Sequence, residues 1–228
     1  MSDKKTEERI TGSLLQPIEK KLLIWIVKRL PKKILPDHMT NLGFAGAVLI
    51  GISYILTNIS TMYFWLATLG FIINWVGDSL DGNIARFRNV QRPKYGFYID
   101  HNVDAITVLL IGIGAGLSPF IHLHVAYYVV ISYFLISIHT YINMYIQDVF
   151  KISYGKFGPT EARLAMMIFN TVFFFMKKPP TVKLFNIDFT YFDFMGIALG
   201  TFIIGLYIFS YFKNLKKMAE VDPPDYDI

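Results

Sequence analysis

From His38 through Gly77, and again from Ala105 through Gln147, the chain carries no Lys, Arg, Asp or Glu. A soluble fold needs polar residues on the outer face of every element and cannot absorb such runs. A bilayer can, and each run is long enough for two crossings of about 20 residues. Turns are available at Asn58 to Thr61 and at Ser118-Pro119. Phe194 to Phe212 makes another crossing, and one more forms if the short apolar stretch Leu164 to Met176 recruits Gly158 to Arg163. A hydrophobic content of 54% and a mean hydropathy of +0.42 agree with a membrane protein, and 228 residues suit one domain.

The expected fold is therefore all-α, an integral membrane bundle of six transmembrane helices near 40–57, 63–86, 96–118, 122–150, 157–176 and 191–212. An amphipathic interfacial helix precedes them between Ser13 and Leu30. There Leu15, Ile18, Leu22, Trp25 and Ile26 fall on one stripe with Lys20, Lys21 and Lys28 off it. Pro31 and Pro36 separate this helix from the first crossing. The domains are a cytoplasmic N-terminal segment over 1–37, the membrane domain over 38–220 and a flexible tail over 221–228. Neither end resembles a removable signal, and the absence of cysteine excludes disulfides and thiolate metal sites.

Charge sets the orientation. Of the 22 Lys and Arg residues, all but Lys177, Lys178 and Lys183 fall on one side of a six-crossing chain, which places both termini on the cytoplasmic side. The net charge of +5 then reads as topology and attraction to anionic lipid, with no nucleic-acid partner implied.

Against this background four carboxylates stand out. Asp78 and Asp81 are three residues apart and Asp100 and Asp104 four apart, so each pair shares one helix face. Counting about 20 residues at about 1.5 Å each from Tyr63, and back from Ser118, brings both pairs to a common depth just inside the cytoplasmic boundary. Acidic side chains there are costly and mark function. Two such helices side by side would gather oxygen ligands suited to Mg²⁺ or Mn²⁺, with a metal pair bridging a diphosphate as the natural occupant.

Asp78-x2-Asp81-Gly82-x2-Ala85-Arg86, followed by Gly96-x3-Asp100-x3-Asp104, resembles the signature of the CDP-alcohol phosphotransferase family of integral membrane enzymes. Nine residues separate Arg86 from Gly96, one more than in the commonest form of the signature. The resemblance extends to Pro36-Asp37-His38-Met39-Thr40, where the family has Pro-Asn ahead of a Thr. It implies a CDP-linked donor, an alcohol acceptor, release of CMP and two divalent ions. Asp78, Asp81, Asp100 and Asp104 would be metal ligands. Thr40, Gly82, Ala85, Arg86 and Gly96 would lie on the nucleotide side, with Gly82 and Ala85 letting it approach the helix backbone. A homodimer is implied on the same basis.

Asp104 is one candidate general base. His101 is the other, because Asp100-His101-x2-Asp104 resembles the choline and ethanolamine phosphotransferase branch; an imidazole's ordinary pKa of about 6.5 suits the task, although one residue along a helix turns a side chain by about 100°. Glu161 and Arg163, at the start of the fifth crossing, are candidates for the acceptor. A Thr-Glu pair there is similar to the eukaryotic-type enzymes with a lipid acceptor, and an Arg to members holding a phosphorylated acceptor, so the donor is either CDP-diacylglycerol or a CDP-linked small alcohol. The alternative from another class is a small cation-coupled transporter using the acidic cluster as its ion site. His122, His124 and His139 are expected to be interfacial or hydrogen-bonded rather than ligands.

Overall fold

The computed structural model describes residues 15–147, 158–176, 179–184 and 186–224. The residues before Leu15, the end of the 122–150 crossing and the beginning of the 157–176 one, Lys177 and Lys178, and the last four residues of the tail lie outside the described residues.

Among the described residues, seven helices and one two-stranded hairpin follow one another: α1 (Gln16–Val27), α2 (Pro36–Leu56), α3 (Tyr63–Phe87), α4 (Pro93–Gly116), α5 (Leu123–Gln147), α6 (Pro159–Met176), β1 (Thr181–Leu184), β2 (Ile187–Thr190) and α7 (Tyr191–Val221). A helix stands at each expected crossing. By length and composition α2, α4, α5 and α7 are apolar enough to cross a membrane. Asp78, Asp81 and Arg86 in α3, and Glu161 and Arg163 in α6, lower the apolar character of those two helices. Pro36 and Pro93 sit in the first turns of α2 and α4, where a fixed φ and a missing N–H cost nothing; Pro36 thus opens the helix it was expected to precede.

Two features differ from the expected architecture. The link between α6 and α7 contains an antiparallel hairpin pairing Thr181 with Thr190 and Leu184 with Ile187, so the chain is not purely helical; four-residue strands are too short to show in hydrophobic periodicity. The second concerns α1. Its buried residues are Leu23 and Val27, packed with Leu80 and Ile84 of α3, while Ile18, Leu22 and Trp25 of the expected stripe are exposed, Ile18 at 70%. An exposed apolar stripe is what a helix lying on a membrane surface presents; the face that packs on α3 is a second one, which periodicity within α1 does not reveal.

Packing is closest between α2 and α3, where small residues meet backbone to backbone. A Cβ on Gly46 would lie 2.5 Å from the Asn74 nitrogen, and one on Gly77 would collide with the Gly43 backbone; such seams are how helices without a hydrophobic driving force between them associate. A Cβ on Gly114 would meet the Gly51 carbonyl oxygen at 2.5 Å, so α4 closes on α2 in the same way. At the end of the bundle away from the four carboxylates, Tyr54, Phe64, Phe71, Phe120, Phe173 and Phe192 form an aromatic core. The Tyr54 hydroxyl donates to Asn170 Oδ1 at 2.9 Å within it. Thr190 and Asp193 cap α7 reciprocally. Asp193 also accepts from the His122 nitrogen at 2.8 Å and pairs with His122 Nδ1 at 2.7 Å, and His139 Nε2 lies 3.0 Å from Ser210 Oγ. These two histidines are hydrogen-bonded structural residues, as expected.

Gly77→Ala should destabilise the bundle by about 1–3 kcal/mol, the usual cost of overpacking, because both contacting groups are backbone. Thermal unfolding in detergent checks this. An unchanged midpoint would show that α2 and α3 can separate without loss.

Candidate functional site

The glycine seam ends where α2 begins, and there the two helices enclose polar groups. One pocket is lined by Thr40 and Gly43 from α2, by Asn74, Asp78 and Asp81 from α3, and by Asp100, Val103 and Asp104 from α4. Helical spacing puts each aspartate pair on one face, and the contacts of α2 with both α3 and α4 turn those faces toward each other. The enclosed space is about 10 Å³, roughly that of one water.

Each carboxylate is held differently. Asp81 is buried and accepts from the Thr40 hydroxyl at 2.8 Å and from the Gly82 nitrogen at 2.5 Å. Asp78 forms an ion pair with Arg163 of α6 at 2.7 Å, with the guanidinium only 13% exposed and the carboxylate 36%. Asp104 lies within electrostatic range of Asp78, Asp81, Asp100 and Arg163. Asn74 Nδ2 donates to the Gly43 carbonyl oxygen at 2.9 Å, fastening α3 to α2 at the pocket's inner end.

The remaining sequence candidates occupy several places. A Cβ on Gly82 would meet only the flexible Arg86 guanidinium at 3.2 Å, and one on Gly96 would meet nothing within 4 Å, so open space adjoins Gly96. Ala85 is half-buried and Arg86 exposed. His101 is not among the pocket-lining residues. It is turned toward α5, its Nδ1 lies 2.7 Å from the Phe97 carbonyl oxygen, and its ring meets Tyr141 edge-on at 4.8 Å. A carbonyl only accepts, so Nδ1 is the donor in this bond. Glu161 accepts from the backbone nitrogens of Gly158 at 2.9 Å and Leu15 at 3.1 Å, joining the starts of α6 and α1. The Thr160 hydroxyl donates to Glu19.

Residues that sequence reasoning did not single out also shape the site. Asn74 stands four residues before Asp78, on the same helix face, a spacing that could have revealed it. Arg88, which follows α3, donates to the carbonyl oxygens of Leu30, Pro31, Lys32 and Ile34, holding the α1–α2 link. Arg92 pairs with Asp37 at 2.5 Å, tying the start of α4 to that of α2; this contact raises the Arg92 pKa further above its ordinary value.

The donor chemistry fits a hard divalent cation, since carboxylates from two helices share one small pocket with a hydroxyl and an amide beside them. The four share a pocket rather than a point: among the described residues no three acidic or imidazole groups converge closely enough to form a ready-made ion site.

The family model described as CDP-alcohol phosphatidyltransferase matches residues 33–209, more than half of the chain. Cholinephosphotransferase 1 of Homo sapiens is 26% identical over 68% of this chain and 40% of its own length. Its Bos taurus counterpart is 27% identical over 71% of this chain and 42% of its own, and that of Gallus gallus 26% over 88% and 62%. The chain thus spans about two fifths of the length of the human and bovine relatives.

Removing the Thr40 hydroxyl leaves a buried carboxylate short of a donor. Thr40→Val should cost about 1.5–3 kcal/mol, the range for a hydrogen bond to a charged group, and Thr40→Ser much less. Denaturant or thermal midpoints of the two variants check the difference; equal midpoints would mean that the Thr40 bond to Asp81 is not stabilising.

Proposed function

Because the chain belongs to the CDP-alcohol phosphatidyltransferase family, we propose that it transfers a substituted phosphate group from a CDP-linked donor to an alcohol acceptor, releasing CMP, in phospholipid synthesis. The observation that carries this reading is the meeting of Asp78, Asp81, Asp100 and Asp104 in one pocket, from two helices whose sequences bear the family's signature. The helices α2 to α7 form six crossings, with both termini and the pocket on the cytoplasmic side. Support for this topology comes from the distribution of Lys and Arg. A homodimer belongs to the same reading and rests on family resemblance alone.

Asp78, Asp81, Asp100 and Asp104 would hold Mg²⁺ or Mn²⁺, which when bound supplies positive charge to the donor's diphosphate. Arg163 orients Asp78 through their ion pair, and Thr40 and the Gly82 nitrogen orient Asp81. Gly96 of α4, where an added side chain would meet no neighbouring element within 4 Å, leaves room for the nucleotide, and Ala85 and Arg86 of α3, half-buried and exposed, would line its approach from solvent. The acceptor hydroxyl forms a bond to the β-phosphorus as the bond from that phosphorus to the CMP oxygen breaks. The hydroxyl proton passes to a base, and CMP leaves with the electron pair.

For the base, the candidate is His101: its Nδ1 donates to the Phe97 carbonyl, which in the neutral ring would leave Nε2 to accept a proton. Its ring meets Tyr141 of α5, the side from which an acceptor would enter from the lipid. Asp104 then remains a ligand. Of the two donor arrangements, support falls on a CDP-linked small alcohol with a lipid acceptor. The relatives are named cholinephosphotransferase, and Arg163, the residue suited to a phosphorylated acceptor, is paired with Asp78 instead.

Purified protein supplied with Mg²⁺ or Mn²⁺, CDP-choline or CDP-ethanolamine and diacylglycerol should release CMP, and chelation should stop it. Asp81→Asn should reduce release to background with the fold retained, whereas continued turnover would contradict its place as a ligand. His101→Ala should lower kcat by about 10²–10⁴-fold, the usual contribution of a general base; near-normal turnover would transfer that role to Asp104. Cation flux with no nucleotide dependence would replace the transferase reading by a transporter.

A further inference from the structure

Glu19, in the first turn of α1, lies outside the pocket and outside the stretch that matches the family. Its Oε1 accepts from Trp75 Nε1 at 2.9 Å and from Ser79 Oγ at 3.2 Å, both on α3. The Thr160 hydroxyl of α6 donates to the same carboxylate, 3.1 Å from each oxygen. One side chain thus binds three helices together, and it does so at a particular place. Trp75 and Ser79 bracket Asp78 on α3, and Thr160 stands one turn before Arg163 on α6. The two segments that Glu19 holds are the two that carry the Asp78–Arg163 ion pair.

The same joint is reinforced on both sides. Glu161 accepts from the Leu15 nitrogen, which leads into α1, and from the Gly158 nitrogen, which leads into α6. Leu23 and Val27, one and two turns further along α1, pack with Leu80 and Ile84 of α3. A part-buried carboxylate with hydroxyl and indole donors around it is costly to leave half-satisfied, so loss of Glu19 leaves Trp75 and Thr160 without their acceptor and frees α6 to shift against α3.

We infer that Glu19 is a positioning residue: it sets the spacing of α3 and α6 that keeps Arg163 on Asp78, and so governs how firmly the pocket's carboxylates hold a divalent cation. This rests on the reading of the pocket as a cation site. Hydrogen-bonding partners that orient a ligating carboxylate are worth about 10–100-fold in metal affinity. Glu19 acts one step further out.

Mn²⁺ titration of the purified full chain, following free Mn²⁺ by electron paramagnetic resonance, tests this without recourse to turnover. Glu19→Ala should weaken Mn²⁺ binding on the order of tenfold, in the same direction as Arg163→Lys, which keeps the positive charge beside the site but loses the guanidinium fork. The double variant should be no weaker than Arg163→Lys alone, because both act through one pair. Glu19→Gln, which keeps an acceptor oxygen for Trp75 and Thr160, should recover most of the loss. Thr160→Val removes only the α6 bond and should shift binding in the same direction, which provides the test if Glu19→Ala does not fold. A lowered melting temperature with Mn²⁺ affinity unchanged in these variants, or additive losses in the double variant, would overturn the inference. If the wild-type chain itself failed to bind Mn²⁺, the cation-site reading would fall instead.

Discussion

The pocket depends on two helices touching backbone to backbone. Gly43, Gly46 and Gly77 let α2 and α3 approach until a single added methyl would collide, and only at that separation does the Thr40 hydroxyl reach Asp81. Larger side chains along the seam would splay the helices and leave Asp81 a buried carboxylate without its side-chain donor, a state that low-dielectric surroundings penalise heavily. The small residues are therefore a condition for placing acidic groups at this depth at all.

The bundle has two ends of different chemistry. Around the carboxylates, contacts are polar and cross between helices: Arg163 with Asp78, Arg92 with Asp37, Arg88 on the α1–α2 link, Glu19 on α3 and α6. At the other end, interlocking aromatic rings are fastened by Tyr54 with Asn170 and by His122 with Asp193. A packed aromatic core has few alternative arrangements, which suits it to fix the helix axes. Ion pairs and hydrogen bonds can exchange partners. The division places rigidity far from the pocket and exchangeable contacts beside it.

Membership of the family accounts for the aspartates, but the matched region begins at residue 33, and α1 lies before it. Through its contacts with α3 and α6, α1 is nonetheless part of the scaffold around the pocket. The chain also spans less than half the length of its human and bovine relatives.

Much of this was legible in the sequence. Long uncharged runs located the helix starts to within a few residues, because a bilayer dictates segment length directly, although α7 continues past the expected 212 to Val221; and the spacing of Asp78, Asp81, Asp100 and Asp104 placed each pair on one face, because helical periodicity is local. What the sequence alone left undetermined was every relation between distant segments. That Arg163 would pair with Asp78, that Glu161 would serve the start of α1, that His101 would turn toward Tyr141, and that Leu23 and Val27 would be the buried face of α1 all depend on which helices lie side by side and at what rotation. Those choices are made by close packing at particular glycines and by the need of each buried charge for a partner. Both are properties of the assembled bundle, and neither is written in the period of any one helix.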